Sequence, residues 1–208
     1  MKQGYIYPCQ VPRPKLYDDD LRRRLVARAA KMLAEHGPSG LALRQVASAE
    51  GTSTTAIYSM FSDRAGLMHE VGRTAARSFV AAQRAVPVTD DPYADLFNLG
   101  RAYRGWALEN PTLYLVLMTP PEPTMRMEGP LPQASSAGPL RDVISRLVTA
   151  GIFPPVDPNL ILALIWASVH GFVSLELAGY YQPVTPEKLD YMYEAQLAAI
   201  ARGWRTPD

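Results

Sequence analysis

Residues Leu41 to Leu67 read LALRQVASAEGTSTTAIYSMFSDRAGL, and the punctuation of this stretch decides the fold. A helical segment from Leu41 to Glu50 places Leu43, Val46 and Ala47 on one side and stops at Gly51. Ser53 stands where an N-cap belongs, ahead of a second short helix spanning about Thr54 to Met60. Two short helices joined by a glycine-containing turn form a helix-turn-helix, whose second helix enters the major groove N-terminus first while the helix before it crosses the backbone. Thr52, Ser53, Thr54 and Thr55 supply short hydroxyls at that leading end, where free amides also meet phosphate. Tyr58 carries a phenol that reaches a phosphate from the exposed side, the alternative being a purely structural tyrosine. Ala56 and Ile57 are expected to alternate between groove and core, with Phe61, Ile57, Val46 and Leu43 as core.

Outward from this block the chain reads as helices. Asp18, Asp19 and Asp20 open a helix with Leu21, Leu25, Ala29, Met32 and Leu33 on its apolar face, ending at His36 and Gly37. Residues 1–17, with Pro8, Pro12 and Pro14, read as a flexible arm, in which Arg13 and Lys15 either touch DNA or belong to a plain tail. On the other side Arg64 to Arg84 forms a longer helix ended by Pro87. Asp91-Pro92, Asp157-Pro158 and Thr185-Pro186 each pair a cap residue with proline at the first helical position, which predicts helices over Pro92–Asn110, Pro158–Tyr181 and Pro186–Gly203. Short helices at Thr112–Met118 and Pro139–Ala150 fill the gaps, and Thr119–Gly138, with five prolines, reads as a long loop. No segment alternates with period two, so the expected class is all-α: an N-terminal three-helix bundle with the helix-turn-helix at residues 18–66, and a C-terminal helical bundle at 67–208.

Charge divides along the same line. Of 21 basic and 20 acidic residues, 13 basic and 7 acidic lie up to Arg84, leaving 8 and 13 beyond, so a basic head precedes an acidic body. That suits a nucleic-acid partner at one end only, although a solvated helix face gives the same count. The single cysteine, Cys9, excludes an intrachain disulfide and fits a reducing compartment. The longest apolar candidate, Leu160 to Val173, is shorter than a membrane span, and the N-terminus lacks a signal-peptide run, so a cytoplasmic protein without a membrane partner is expected. His36, His69 and His170 sit in different helices without triad or metal-ligand spacing, so neither catalysis nor a metal or cofactor is expected.

The run from Ala29 to Leu67, including Tyr58-x-x-Phe61 and Asp63-Arg64-x-x-Leu67, resembles the DNA-binding domain of TetR-family transcriptional regulators. The resemblance implies that Arg44, Thr54, Thr55 and Tyr58 face DNA and that Arg64 contacts the backbone at the start of the fourth helix, with Gln45 also within reach. For Arg44 and Arg64 the alternative is solvated surface charge. This chain departs from the family in carrying Arg64 for the usual lysine, which keeps the charge, and Thr55 where glycine is frequent, which bears on base preference.

Ile165 to Gly179 resembles the eighth helix of a TetR subgroup with a Trp, His, Gly signature, here Trp166, His170 and Gly171, and Tyr103 to Tyr114 is similar to the matching helix pair. The aromatic and methionine content of the acidic part permits an apolar pocket, for which Tyr103, Trp106, Tyr114, Met118, Trp166 and His170 are candidate lining residues. The competing reading is ordinary core, with His170 a satisfied core histidine. A module that reads a few base pairs needs two copies, about 34–36 Å apart on the DNA. The resemblance implies a homodimer whose last two helices form a four-helix interface, with Leu164, Phe172, Leu175, Tyr191 and Leu197 as candidate interface residues. The function expected is therefore a ligand-responsive regulator, most simply a repressor, on a palindromic double-stranded DNA operator and released by a small apolar effector. The alternative is a helical interaction or architectural module whose basic end meets an acidic partner or binds DNA without specificity.

Overall fold

The computed structural model describes residues 19–118 and 137–206. The expected arm, with Arg13 and Lys15, and most of the expected proline-rich loop lie outside the described residues. Nine α-helices and one 3-10 turn are described, and no strand occurs among the described residues. They group into two compact units, one up to Glu70 and one from Val71 onward, with the helix Arg64–Arg84 carrying residues of both.

In the first unit, α1 (Asp19–His36) has Asp19 and Asp20 in its first turn and buries Leu25, Val26, Ala29, Ala30 and Met32. Leu21 and Leu33 sit at the margins of that face, half-buried. A 3-10 turn (Pro38–Gly40) follows, and α2 (Leu43–Ala49) starts two residues later than its apolar pattern suggests. The reason is local: Ala42 occupies the N-cap and makes no side-chain cap bond, while Pro38–Gly40 has already taken up the chain in a tighter turn. α3 (Thr54–Phe61) is capped by Ser53, whose Oγ accepts from Ala56 N at 3.3 Å. α4 (Arg64–Arg84) follows after two residues, Ser62, which takes φ 68°, and Asp63, whose Oδ1 accepts from Gly66 N at 2.6 Å.

The second unit adds α5 (Pro92–Glu109), α6 (Pro111–Met118), α7 (Gly138–Thr149), α8 (Pro158–Leu177) and α9 (Pro186–Gly203). Each of the three cap-proline pairs works as the sequence implies: Asp91 accepts from Tyr93 N and Ala94 N, Asp157 from Asn159 N, and Thr185 from Lys188 N. α8 stops at Leu177 rather than Tyr181, because Gly179 takes φ 78° and turns the chain, with Tyr180 N donating to Leu175 O. At 20 residues α8 is also longer than the apolar run that marked it, and it is long and apolar enough to cross a membrane by length and composition. Here it packs against α5, α7 and α9, burying Ile161, Leu162, Ile165, Val169, Phe172 and Val173.

One core cluster fills this unit, running from Phe79 on α4 through Tyr103, Trp106, Tyr114, Ile144, Leu147 and Phe153 to Tyr193 and Leu197 on α9. Polar ties fix the helices around it. Arg104 on α5 donates from Nε and Nη2 to both Glu176 oxygens and from Nη1 to Asp190, all at 2.7 Å, joining α5, α8 and α9. Tyr193 donates its hydroxyl to Gly100 O at 2.6 Å, a second bond between α9 and α5.

Candidate nucleic-acid interface and effector site

The reading head is built on an inside-outside division of α3. Ala56 and Ile57 are fully buried and Phe61 nearly so, so neither Ala56 nor Ile57 faces outward as the sequence reading expected of one of them. Helical geometry then puts Thr55 and Tyr58 on the opposite, solvent side; both are exposed, Tyr58 by 53%, with Thr52 and Thr54 half-buried beside them. On α2, Val46 and Ala47 are buried, Leu43 is half-buried, and Arg44 and Gln45 are exposed. Ser53 is exposed too, but its hydroxyl holds the start of α3. Its first duty is to aim the helix.

Other basic side chains of this unit are engaged within it. Arg24 and Arg28 both reach Glu50 on the turn after α2, and Arg22 donates to Met60 O at 2.8 Å while lying over the Phe61 ring at 4.6 Å. Arg22 escapes a sequence scan because its partners are 38 or more residues away. Arg64 is likewise half-committed: Nε donates to Leu41 O at 3.1 Å and Nη2 donates to Pro38 O. The first residue of α4 therefore holds the 3-10 turn and the entry to α2, leaving Nη1 outside both bonds. This structural role leaves no local signal beside the DNA-backbone contact that the resemblance implies, because Leu41 and Pro38 lie 23 and 26 residues away.

Gly66 is a further residue that the sequence reading passed over. A Cβ built on it would lie 1.9 Å from Phe61 O, so the α3–α4 corner closes onto bare backbone. The spacing Phe61-x-x-x-x-Gly66 is the signal that could have revealed it.

In the second unit the aromatic candidates come together as a hydrogen-bonded knot. The Tyr114 hydroxyl is 2.7 Å and the Tyr103 hydroxyl 3.3 Å from His170 Nδ1, and Tyr114 also contacts Ser174 Oγ at 3.0 Å. Two phenols converge on one ring nitrogen, an arrangement that a neutral imidazole accommodates with Nδ1 accepting from one hydroxyl. Burial agrees, holding the His170 pKa below the ordinary histidine value and pushing the Tyr103 phenol up, with Tyr114 adding to the latter. Trp166 stacks on His170 with centroids 5.2 Å apart and planes at 15°, the consequence of their spacing of four on α8. Trp106 donates Nε1 to Ser78 Oγ at 3.0 Å, and its ring meets Phe79 edge-on. Met118 is half-buried against the core.

A cavity of about 40 Å³ lies beside this knot, between α5, α8 and α9, and of the six candidate pocket residues only Tyr103 and Trp166 line it. Trp106, Tyr114, Met118 and His170 are instead packed or hydrogen-bonded behind it, because the polar ends of Trp106, Tyr114 and His170 satisfy one another or a serine. Ser174 and Ser78 are part of the arrangement and carry no sequence signal of their own.

The candidate interface residues divide by burial. Leu164, Leu175 and Tyr191 are exposed on α8 and α9, at 48%, 42% and 67%, and Leu160 joins them. Phe172 and Leu197 are not on that face. Phe172 packs between Tyr181 and Tyr193, and Leu197 lies over Gly100, so both serve the chain's own core.

Comparison with known proteins agrees with both units. Residues 25–71 match the family described as bacterial regulatory proteins, tetR family, and residues 96–200 match the tetracyclin repressor-like C-terminal domain. The HTH-type transcriptional regulator Rv1816 of Mycobacterium tuberculosis (strain H37Rv) is 26% identical over 204 residues, covering 83% of this chain and 87% of its own length. Among solved structures, the putative regulatory protein SCO4313 is 27% identical with a TM-score of 0.66, covering 87% of this chain and 95% of its own. A putative tetR family transcription regulator from Shewanella sp. PV-4 shares the fold at a TM-score of 0.74, with 16% identity, covering 90% of this chain and 99% of its own. With an all-helical chain, a helix-turn-helix whose second helix turns its hydroxyls and a tyrosine outward, and family matches across both units, this protein belongs to the TetR family of DNA-binding transcriptional regulators.

Proposed function

We propose that the protein is a homodimeric repressor that binds a palindromic operator through α2 and α3 and leaves it when a small apolar effector enters the C-terminal unit. The observation that carries the DNA half is the exposed row of Thr55 and Tyr58 over the buried Ala56, Ile57 and Phe61. Arg44, Gln45, Thr52 and Thr54 flank that row, Ser53 fixes the helix start, and an Arg64 Nη1 left outside its two backbone bonds supports a contact with a backbone phosphate. The exposed leucines and tyrosine of α8 and α9 support pairing with a second copy, which sets two reading heads on one operator. The cavity supports an effector, and at about 40 Å³ it must widen to hold one, since an engineered apolar cavity that takes benzene measures about 150 Å³. Widening it moves side chains of α8 and α9, which couples occupancy to the pairing helices and so to DNA affinity. The site of action is the cytoplasm, where the operator is.

The test is a gel-shift titration with DNA flanking the protein's own gene, across salt concentrations and with competitor DNA, alongside the mass in solution. The expected result is a dimer forming a discrete, competitor-resistant complex. A monomer, or a smear lost at modest salt on every sequence tried, counts against this reading and in favour of a non-specific or acidic partner.

A further inference from the structure

Two buried polar or charged side chains occur among the described residues of the core, Gln83 and Asp95, and they face the same place. A second cavity of about 230 Å³ lies between the end of α4, the start of α5 and the start of α7, and both of these residues line it, together with Val86, Leu99, Val143 and Arg146. Gln83 and Leu99 line the smaller cavity as well. They form a shared wall.

The two sides of that wall differ in character. No exposed residue lines the smaller cavity, where the contributors are Leu96, Ile165, Val169, Leu197 and Ile200 beside Tyr103 and Trp166. The larger one includes the exposed Arg84, Pro87, Val88 and Asp142, so charged and surface residues line it. Its charges balance. Asp95 accepts from Thr89 and from Arg146 Nη1 at 2.6 Å, leaving Arg84 and Asp142 to offset each other. Gln83 is held loosely by comparison, Nε2 donating to Leu99 O at 3.5 Å, at the outer limit of a hydrogen bond. Its amide offers both a donor and an acceptor.

We propose that the two cavities are one elongated site gated by the Gln83 side chain, taking an uncharged amphiphile whose apolar tail enters between α5, α8 and α9 and whose hydrogen-bonding head stays beside Gln83. Swinging Gln83 aside costs one long hydrogen bond, which the head then replaces. The tail displaces Leu197 and Ile200, both on α9, which is how occupancy reaches the pairing helices. This deepens the effector reading, yet it stands on binding alone.

The experiment is calorimetric titration of the full chain, without DNA, with 1-alkanols from butanol to decanol and with decanoate, on the parent protein and on Gln83→Trp, Gln83→Leu and Gln83→Ala, each checked for folding by thermal melt. In the parent, affinity is expected to rise about fourfold per added methylene as the tail passes the gate. Gln83→Trp should abolish that rise for the longer chains, Gln83→Ala should keep it, and Gln83→Leu should weaken decanol about fivefold by loss of one hydrogen bond. Decanoate should bind less tightly than decanol. A folded Gln83→Trp with the parent's chain-length series overturns the gate. Should that variant not fold, Gln83→Leu binding decanol as tightly as the parent overturns it instead. A flat series in the parent, or decanoate binding tighter than decanol, overturns the ligand class. If the alkanols bind as described while the operator complex is unmoved by decanol, the effector reading fails and the gated site stands.

Discussion

Replacing Arg64 by alanine separates the two things this side chain does. Its Nε and Nη2 donate to the carbonyls of Leu41 and Pro38, pinning the start of α4 to the turn that leads into α2. A hydrogen bond from a charged donor contributes about 1.5–3 kcal/mol. Arg64 is half-exposed, so water replaces part of what is lost, and we take about 2 kcal/mol for the pair of bonds. In a chain of this size about 1 kcal/mol moves the melting temperature by about 2–4 °C, so Arg64→Ala should melt about 4–8 °C lower. Lysine should recover little of this, because one ammonium cannot reach two diverging carbonyls as a planar guanidinium does. The assay is a thermal melt followed by circular dichroism, read beside the salt dependence of operator binding. If Nη1 also meets a phosphate in each protomer, the slope of log affinity against log salt should fall by about 1.8 in Arg64→Ala. A melting temperature within about 1 °C of the parent refutes the pinning argument, whatever happens on DNA. A lowered melting temperature with an unchanged slope removes Arg64 from the phosphate contacts and leaves it as a positioning residue.

Further substitutions test the remaining geometry. Tyr58→Phe removes a hydroxyl from an exposed side chain in each protomer, so at about 1 kcal/mol apiece operator affinity should drop about thirtyfold with no change in melting temperature; equal affinity would take the phenol out of the interface. Gly66→Ala forces a Cβ onto Phe61 O and should lose both stability and operator binding, and a normal melt would show that the α3–α4 corner is looser than described. Leu164→Glu should yield a folded monomer by light scattering, whereas Phe172→Ala should lower the melting temperature at an unchanged mass, and the reverse pattern would exchange core and interface. His170, with its pKa depressed by burial, favours folding fully above the unfolded value near 6.5 and less as pH falls through its folded value. Acidification from pH 7 to 5 should therefore destabilise the parent more than His170→Phe, and parallel pH profiles would contradict the buried neutral imidazole.

The helices and their order were legible along the chain, apart from the start of α2 and the end of α8. Cap-proline pairs at 91–92, 157–158 and 185–186 and the capping Ser53 are local devices, complete within four residues, so a linear reading finds them. The inward placing of Val46, Ile57 and Phe61 also follows from spacing, whereas Ala56, a small residue that spacing assigns to the groove, is buried as well. Three kinds of feature needed the tertiary structure. Whether an apolar residue on a surface helix serves the chain's own core or a second copy depends on what lies across from it: Phe172 and Leu164 look alike in sequence, but only Phe172 meets Tyr181 and Tyr193. Whether a basic residue is available to DNA depends on partners far along the chain, as with Arg22 and Met60 or Arg64 and Pro38. And the placing of His170 against Tyr103 and Tyr114, or of Gln83 between two cavities, joins residues on α4, α5, α6 and α8 that no periodicity links. Capping and amphipathicity act within one helix and are written along the chain, while burial, hydrogen-bond partnership and cavity shape are set by which helices meet.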